Sequence, residues 1–289
     1  MRKPNFFIIG APKCGTGSLA SWLAGHPNVY MSPVKEPNCF NTDQNARVRF
    51  QGEEYEALFR RANSSHLAVG EASVWYLASE VAVPKILEYA DCPKFIVMVR
   101  NPVEMAYSLH DHMLYYGIED EKDFGKAWQL QKERARGRNI PRGCFEPKHF
   151  QYGWACSLGH HIERLLSFVE RKQVHFVFLD DIRKDARSEY LKVLNFLGLE
   201  DDGRTEFPAK NTAKEHRLQF IAPILRWGAT FKKRIGIYKS LGIVKLNTRY
   251  RQRPPMDNQL RAELIQYFRE DIRLMERLLN RDLSDWLRT

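Results

Sequence analysis

The 289-residue chain has no apolar run approaching the ~20 residues that span a bilayer. Nor does it open like a secretory signal. Arg2 and Lys3 precede only a short apolar run, which passes directly into a glycine-containing loop. Both absences favour a cytoplasmic protein. Cysteine is sparse: Cys14, Cys39, Cys92, Cys144 and Cys156 are odd in number and scattered, with no C-x-x-C pair. That pattern argues against a disulfide framework and a zinc site and fits reduced thiols, so no metal is expected. Internal repeats and low-complexity tracts are also missing. Acidic residues are nearly absent from 210–253, where twelve Lys and Arg face the single acid Glu215. The formal charge of +10 therefore resides in that stretch, which points to an anionic partner.

Hydrophobic content of 44% and charged content of 28% suit one globular domain spanning 1–289. Five short apolar runs read as buried strands: Asn5–Gly10, Val29–Ser32, Leu67–Glu71, Lys94–Arg100 and Val174–Leu179. Helical spacing falls between and after them, at Thr16–Ala24, Val81–Tyr89, Val103–Tyr116, Trp154–Glu170, Ser188–Leu197 and Asn258–Leu279. The alternation predicts an α/β fold: a P-loop-like three-layer sandwich with a central, mainly parallel sheet of about five strands flanked by helices. Residues 118–150, charged and punctuated by Gly and Pro, read as a lid or substrate excursion. Residues 210–255 read as a basic helical segment.

Two stretches carry chemistry. In the first, Phe6-Phe7-Ile8-Ile9-Gly10 leads into Ala11-Pro12-Lys13-Cys14-Gly15-Thr16-Gly17-Ser18, a buried strand, a glycine loop and a helix start. Glycines let backbone N–H groups approach a phosphate, and the helix N-terminus favours the anion. Lys13, Cys14, Gly15, Thr16, Gly17 and Ser18 are thus expected to grip a phosphate-bearing nucleotide. Gly10 and Gly15 keep the spacing of an ATPase loop, but Thr16 follows Gly15 and the lysine sits earlier, at Lys13. In the second, Arg100 ends a very apolar strand, Pro102 is placed to open a helix, and Ser108 lies two turns on. Arg100 and Ser108 could share one phosphate, or Arg100 could pair with Glu104.

Together these stretches resemble the donor-binding elements of sulfotransferases that use 3′-phosphoadenosine 5′-phosphosulfate. The resemblance includes Lys35-Glu36-Pro37, similar to the K-E-P segment of heparan-sulfate-type and related bacterial members. It continues through Gly70-Glu71-Ala72-Ser73 and Phe196-Leu197-Gly198-Leu199 to Asp282-Leu283-Ser284-Asp285-Trp286. It implies that Lys13 and Gly15–Ser18 hold the 5′-phosphosulfate, that Arg100 and Ser108 hold the 3′-phosphate, and that Glu36 is the general base. The product would be adenosine 3′,5′-bisphosphate. Ala72 stands where heparan-type members often carry a lysine. Their late Lys-Gly-Arg loop has no copy, and Lys210-Asn211-Thr212 with Arg217 occupies about its place.

The implied reaction needs charge stabilised on a leaving phosphate oxygen, which Lys13 can supply, and a proton removed from the acceptor. Rivals to Glu36 as base are His112, His110 and Glu71. His110 and His112 cannot share a helix face, so at most one of them points at the site. The acceptor is expected to be a small molecule or a glycan or glycolipid bearing a hydroxyl or amine. The basic 210–253 segment carries Phe220, Trp227, Phe231, Tyr238 and Tyr250, which suits a polyanion or peripheral contact with an anionic membrane. Two other readings remain. One is a P-loop kinase or NTPase, with Asp180-Asp181 as the strand-end acids. The other is a basic nucleic-acid-binding module without catalysis, which leaves the phosphate loop and strand-tip arginine unexplained, so no nucleic acid is expected.

Overall fold

A computed structural model describes residues 2–209 and 254–288, with the backbone of 214–216 and 248–250. Strand β1 (Phe6–Gly10) leads into α1 (Thr16–Leu23) and β2 (Val29–Met31). Helix α2 (Gly52–Ala57), β3 (Ala68–Ala72), α3 (Ala82–Tyr89), β4 (Lys94–Val99) and α4 (Pro102–Tyr115) follow. Helices α5 (Phe124–Gln129), α6 (Gln131–Ala135), α7 (Tyr152–Cys156) and α8 (Leu158–Phe168) precede β5 (Val174–Phe178), α9 (Leu179–Lys184) and α10 (Ala186–Leu197). Strands β6 (Lys214–His216) and β7 (Thr248–Tyr250) come next, and α11 (Asn258–Leu279) is the last long element.

The five strands pair in the order β2-β3-β1-β4-β5, all parallel. Every residue of β1 and β3 is buried, as strands covered on both faces must be, including Glu71 of β3. Gly70 lets β3 lie close to β1: a Cβ there would come within 2.4 Å of the Phe6 ring. The chain leaves β1 towards β2 and β3, then crosses back to β4 on the other side of β1. A crevice therefore opens beyond the carboxyl ends of β1 and β4, the place where open α/β sheets bind ligands.

Local signals fix the helix ends. Asn101 accepts a hydrogen bond from the Val103 N–H at 2.9 Å, and Pro102 occupies the first turn of α4. Gly198, in the left-handed conformation, closes α10. Asp257 caps α11 through the N–H groups of Gln259 and Leu260.

One expectation changes. The single helix over Trp154–Glu170 is broken at Ser157 into α7 and α8. Asp271, buried on α11, accepts hydrogen bonds from the N–H groups of Gly159 (2.9 Å) and His160 (3.0 Å), giving α8 its own capped start. The 118–150 excursion is anchored by a buried ion pair. Buried Arg134 grips Glu119 with two hydrogen bonds of 2.7 and 2.9 Å, and Tyr152 donates to the same carboxylate at 2.7 Å. Of the 210–255 segment, the backbone at 214–216 and 248–250 is described: β6 and β7 pair antiparallel, in register Lys214↔Tyr250, and Thr248 and Tyr250 are strand formers; most of the expected helical segment lies outside the described residues.

Candidate active site

A cavity of about 900 Å³ occupies the crevice at the β1 and β4 ends. Its floor is the glycine loop. Lys13 and Gly15 both have positive φ, 64° and 94°, so the loop turns sharply before α1 begins at Thr16. A Cβ on Gly15 would lie 3.1 Å from Leu179 and 3.3 Å from Met98, so the loop is closely backed by apolar side chains. Lys13, Thr16 and Ser18 line the cavity.

Arg100 and Ser108 enter from β4 and α4 and line the same cavity. Arg100 donates to the Lys13 carbonyl oxygen at 3.1 Å, tying the two strand ends together. Its pairing with Glu104 is long, 3.8 Å, because Glu104 is engaged at 2.7 Å by Arg261 of α11. Trp22, Phe207, Leu179, Ile182 and Ala186 form an apolar slot beside these groups, with Arg183 at its edge. Trp22 and Phe207 meet edge to face at 5.2 Å.

Glu36 lines the opposite side on a strap with positive φ at Glu36 (60°) and Asn38 (52°). Its N–H donates to the Ala72 carbonyl oxygen at 2.9 Å, extending the pairing at the end of β3. One carboxylate oxygen accepts from the Val74 N–H at 2.9 Å and the other lies 3.3 Å from the Lys35 ammonium. The side chain keeps 30% of its exposure, so a carboxylate is both held and presented to the cavity.

Residues 3–220 match the family model described as the sulfotransferase domain. The chain belongs to the sulfotransferase family. It is 26% identical over 304 residues to mouse "Bifunctional heparan sulfate N-deacetylase/N-sulfotransferase 4", covering 99% of this chain but 31% of that protein. It is 31% identical over 147 residues to rat "Carbohydrate sulfotransferase 15", covering 36% and 26% of the two chains. The chain thus spans about a third of the length of the curated relatives it matches. Among solved structures, a sulfotransferase from Alicyclobacillus acidocaldarius superposes with a TM-score of 0.77 at 25% identity, over 100% of both chains. A mouse sulfotransferase complexed with PAP shares the fold, with a TM-score of 0.52 at 16% identity over 99% and 89%.

In this sulfotransferase the remaining candidate residues separate by where they point. Cys14 is wholly buried, its thiol turned to the Pro12 carbonyl oxygen (3.5 Å) and Met105 sulfur (3.8 Å), and burial pushes it up to about 12. It presents no side chain to a ligand. Gly17 is buried in the first turn of α1 and does not line the cavity. His112 does line it, with its Nδ1 3.3 Å from the Lys13 Nζ. An ammonium can only donate, so that nitrogen accepts. Burial, then the charges of Lys13 and Lys35, hold His112 well below the usual imidazole range, which leaves it neutral. His110 faces away: it is buried, its Nε2 lies 2.8 Å from the Glu121 carbonyl oxygen, and it does not line the cavity.

Glu71 is also off the cavity. It is fully buried beneath the strap, accepting from the hydroxyls of Tyr76 (2.8 Å), Ser73 (2.8 Å) and Tyr55 (3.1 Å). Ser73 in turn accepts from the Asn38 N–H at 3.2 Å, and Tyr76 from the Cys39 N–H at 2.9 Å. The carboxylate therefore fastens the strap that carries Glu36. Burial raises Glu71 to about 7.

Asp180 and Asp181 serve the α9 packing. Asp180 accepts from Trp286 and Arg183, both at 3.1 Å, Asp181 takes both arms of Arg281, and neither lines the cavity. The strand-end acids of the kinase reading are thereby committed elsewhere. Lys210 and Arg217 lie outside the described residues. Trp22, Arg47, Trp75, Tyr116, His149, Arg183 and Phe207 line the cavity without having been singled out in the sequence. Trp75, two residues past Ser73 of the Gly-Glu-Ala-Ser run, and Arg183, two residues past Asp181, stood beside stretches already singled out.

Proposed function

We propose that this sulfotransferase uses 3′-phosphoadenosine 5′-phosphosulfate and transfers its sulfuryl group to a hydroxyl or amine of a carbohydrate or glycolipid acceptor. One observation carries the reading: Lys13 on the glycine loop, the Arg100–Ser108 pair and the Glu36 carboxylate all face one cavity. The residues present suit this donor chemically. Lys13, Thr16, Ser18 and the α1 N-terminus offer a first anion site, Arg100 and Ser108 a second, and the Trp22–Phe207 slot an apolar seat for a base.

When bound, the donor supplies a sulfur–oxygen bond that breaks as the acceptor's bond to sulfur forms. Lys13 neutralises charge on the departing phosphate oxygen. The Glu36 carboxylate takes the acceptor proton, with Val74 N–H and Lys35 fixing its direction. His112, neutral and accepting from the Lys13 ammonium, holds that ammonium over the loop rather than serving as base. The carbohydrate acceptor is suggested by relatives named for heparan sulfate and carbohydrate sulfotransfer. The basic composition of 210–253 suits an anionic membrane surface that presents a lipid-linked acceptor.

Transfer of labelled sulfate from the donor onto a panel of glycans, glycolipids and phenols tests the reading. Label should pass to at least one hydroxyl or amine acceptor with wild type, and at least about 100-fold more slowly with Glu36→Gln. Turnover close to the wild-type rate in Glu36→Gln removes Glu36 as the base.

A further inference from the structure

The half of the cavity beyond Glu36 has a chemistry of its own. Trp75 directly follows Val74, whose N–H holds the Glu36 carboxylate, so this wall begins one residue from the proposed base. The indole lies flat on the His149 imidazole, ring centroids 3.5 Å apart and planes 6° from parallel. His149 is fixed from behind. Its Nε2 lies 3.3 Å from the Gln44 side-chain oxygen, its backbone N–H donates to the Glu146 carbonyl oxygen at 3.1 Å, and Phe145 meets the ring edge-on at 5.9 Å and 87°. Burial drives His149 down to about 3, so the stacked pair carries no charge. Val48, Val74, Met113 and Ile118 line the same cavity with apolar side chains.

Charge is distributed unevenly around it. Among the described lining residues Glu36 is the sole carboxylate. Of the cations, Lys13, Arg100 and Arg183 belong to the donor end. On the acceptor side, Lys35 is paired with Glu36 and the Arg47 guanidinium lies 5.5 Å over the Phe145 ring. A fixed, uncharged aromatic wall beside a base favours a rigid ring with an apolar face, because stacking removes such a face from water without desolvating a charge.

We propose that the Trp75–His149 pair is the acceptor platform, and that the acceptor is a hydroxyl compound built on an uncharged ring, a neutral pyranoside being its carbohydrate form. The inference rests on the sulfotransfer reading above. It deepens that reading by choosing a neutral ring over a polyanionic chain. The acceptor ring lies against Trp75 with its hydroxyl towards Glu36. That hydroxyl oxygen forms the new bond to sulfur, its proton passes to Glu36, and the bonding pair leaves with the donor's phosphate oxygen.

The test measures sulfate transfer from the donor to phenyl β-glucoside, 2-naphthol, 1-hexanol and N-deacetylated heparosan, with wild type, Trp75→Ala and Trp75→Phe. Adenosine 3′,5′-bisphosphate binding is followed in parallel by calorimetry. Wild type should turn over phenyl β-glucoside or 2-naphthol in preference to hexanol and heparosan. Trp75→Ala should lower kcat/KM for the ring acceptor by about 10- to 100-fold, the scale of one lost stacking contact, while Trp75→Phe retains most of it. Bisphosphate affinity should be the same in all three proteins, which separates loss of the platform from loss of the fold. Preference for heparosan or hexanol, or a Trp75→Ala protein with unchanged acceptor preference, overturns the platform while leaving the donor reading intact. Failure of wild type to bind the bisphosphate removes the donor reading and this inference with it.

Discussion

Glu71→Gln offers a quantitative check on the buried network beneath the strap. In the folded protein burial, opposed by hydrogen bonds from Ser73, Tyr76 and Tyr55, lifts this carboxyl from the 4.5 of an ordinary glutamate to about 7. The folded protein thus keeps the proton to higher pH than the unfolded chain does. Its stabilising contribution is fully present below pH 4.5 and is lost as pH rises to about 7. At 1.36 kcal/mol per unit, that loss amounts to about 3 kcal/mol. Glutamine cannot titrate, and its side-chain oxygen can still accept from Tyr55 and Tyr76. Urea unfolding of both proteins at pH 4.5 and pH 8 isolates the effect, because every other titrating group cancels in the difference. Relative to wild type, Glu71→Gln should gain about 3 kcal/mol between the two pH values. A difference between the proteins that stays constant with pH would refute the placement of Glu71 as a buried, shifted carboxyl.

Glu36→Gln should lower kcat by about 10²- to 10⁴-fold, the usual worth of a general base, with bisphosphate affinity unchanged in calorimetry. Arg100→Ala should weaken adenosine 3′,5′-bisphosphate by about 10- to 100-fold, the worth of a charged hydrogen-bonding partner, and leave adenosine 5′-phosphate nearly unaffected. Tyr76→Phe removes the hydroxyl that accepts from the Cys39 N–H. It should cost about 1–3 kcal/mol in urea unfolding, and lower kcat more than it alters donor KM, because the strap rather than the glycine loop loosens. Iodoacetamide should modify exposed Cys92 in the native protein and reach Cys14 only after denaturation.

The parallel sheet was legible because strands buried on both faces are written as largely apolar runs, and its five strands fall within a residue or so of those runs. The glycine loop and Arg100 were legible because a lysine and an arginine at strand tips have few structural uses. Side-chain direction was less so. Cys14 sits in the loop yet turns inward, and Glu71 ends a strand yet faces the core rather than the cavity. Both depend on which face the chain presents after its last strand residue, which composition does not record. The break at Ser157 depends on Asp271, far along the chain and buried only once α11 has docked. Arg134 and Glu119 look like surface charges, but they neutralise each other inside the 118–150 excursion. Trp75 and His149 lie far apart in the chain, so their stack exists only in the folded protein.

Thermal shift with the bisphosphate addresses the central claim without requiring the acceptor, since a ligand that binds only the native state raises its apparent stability. Adenosine 3′,5′-bisphosphate should raise Tm in a concentration-dependent way, and ATP with Mg²⁺ should not. A larger shift with ATP and Mg²⁺, or none with the bisphosphate, would contradict the account.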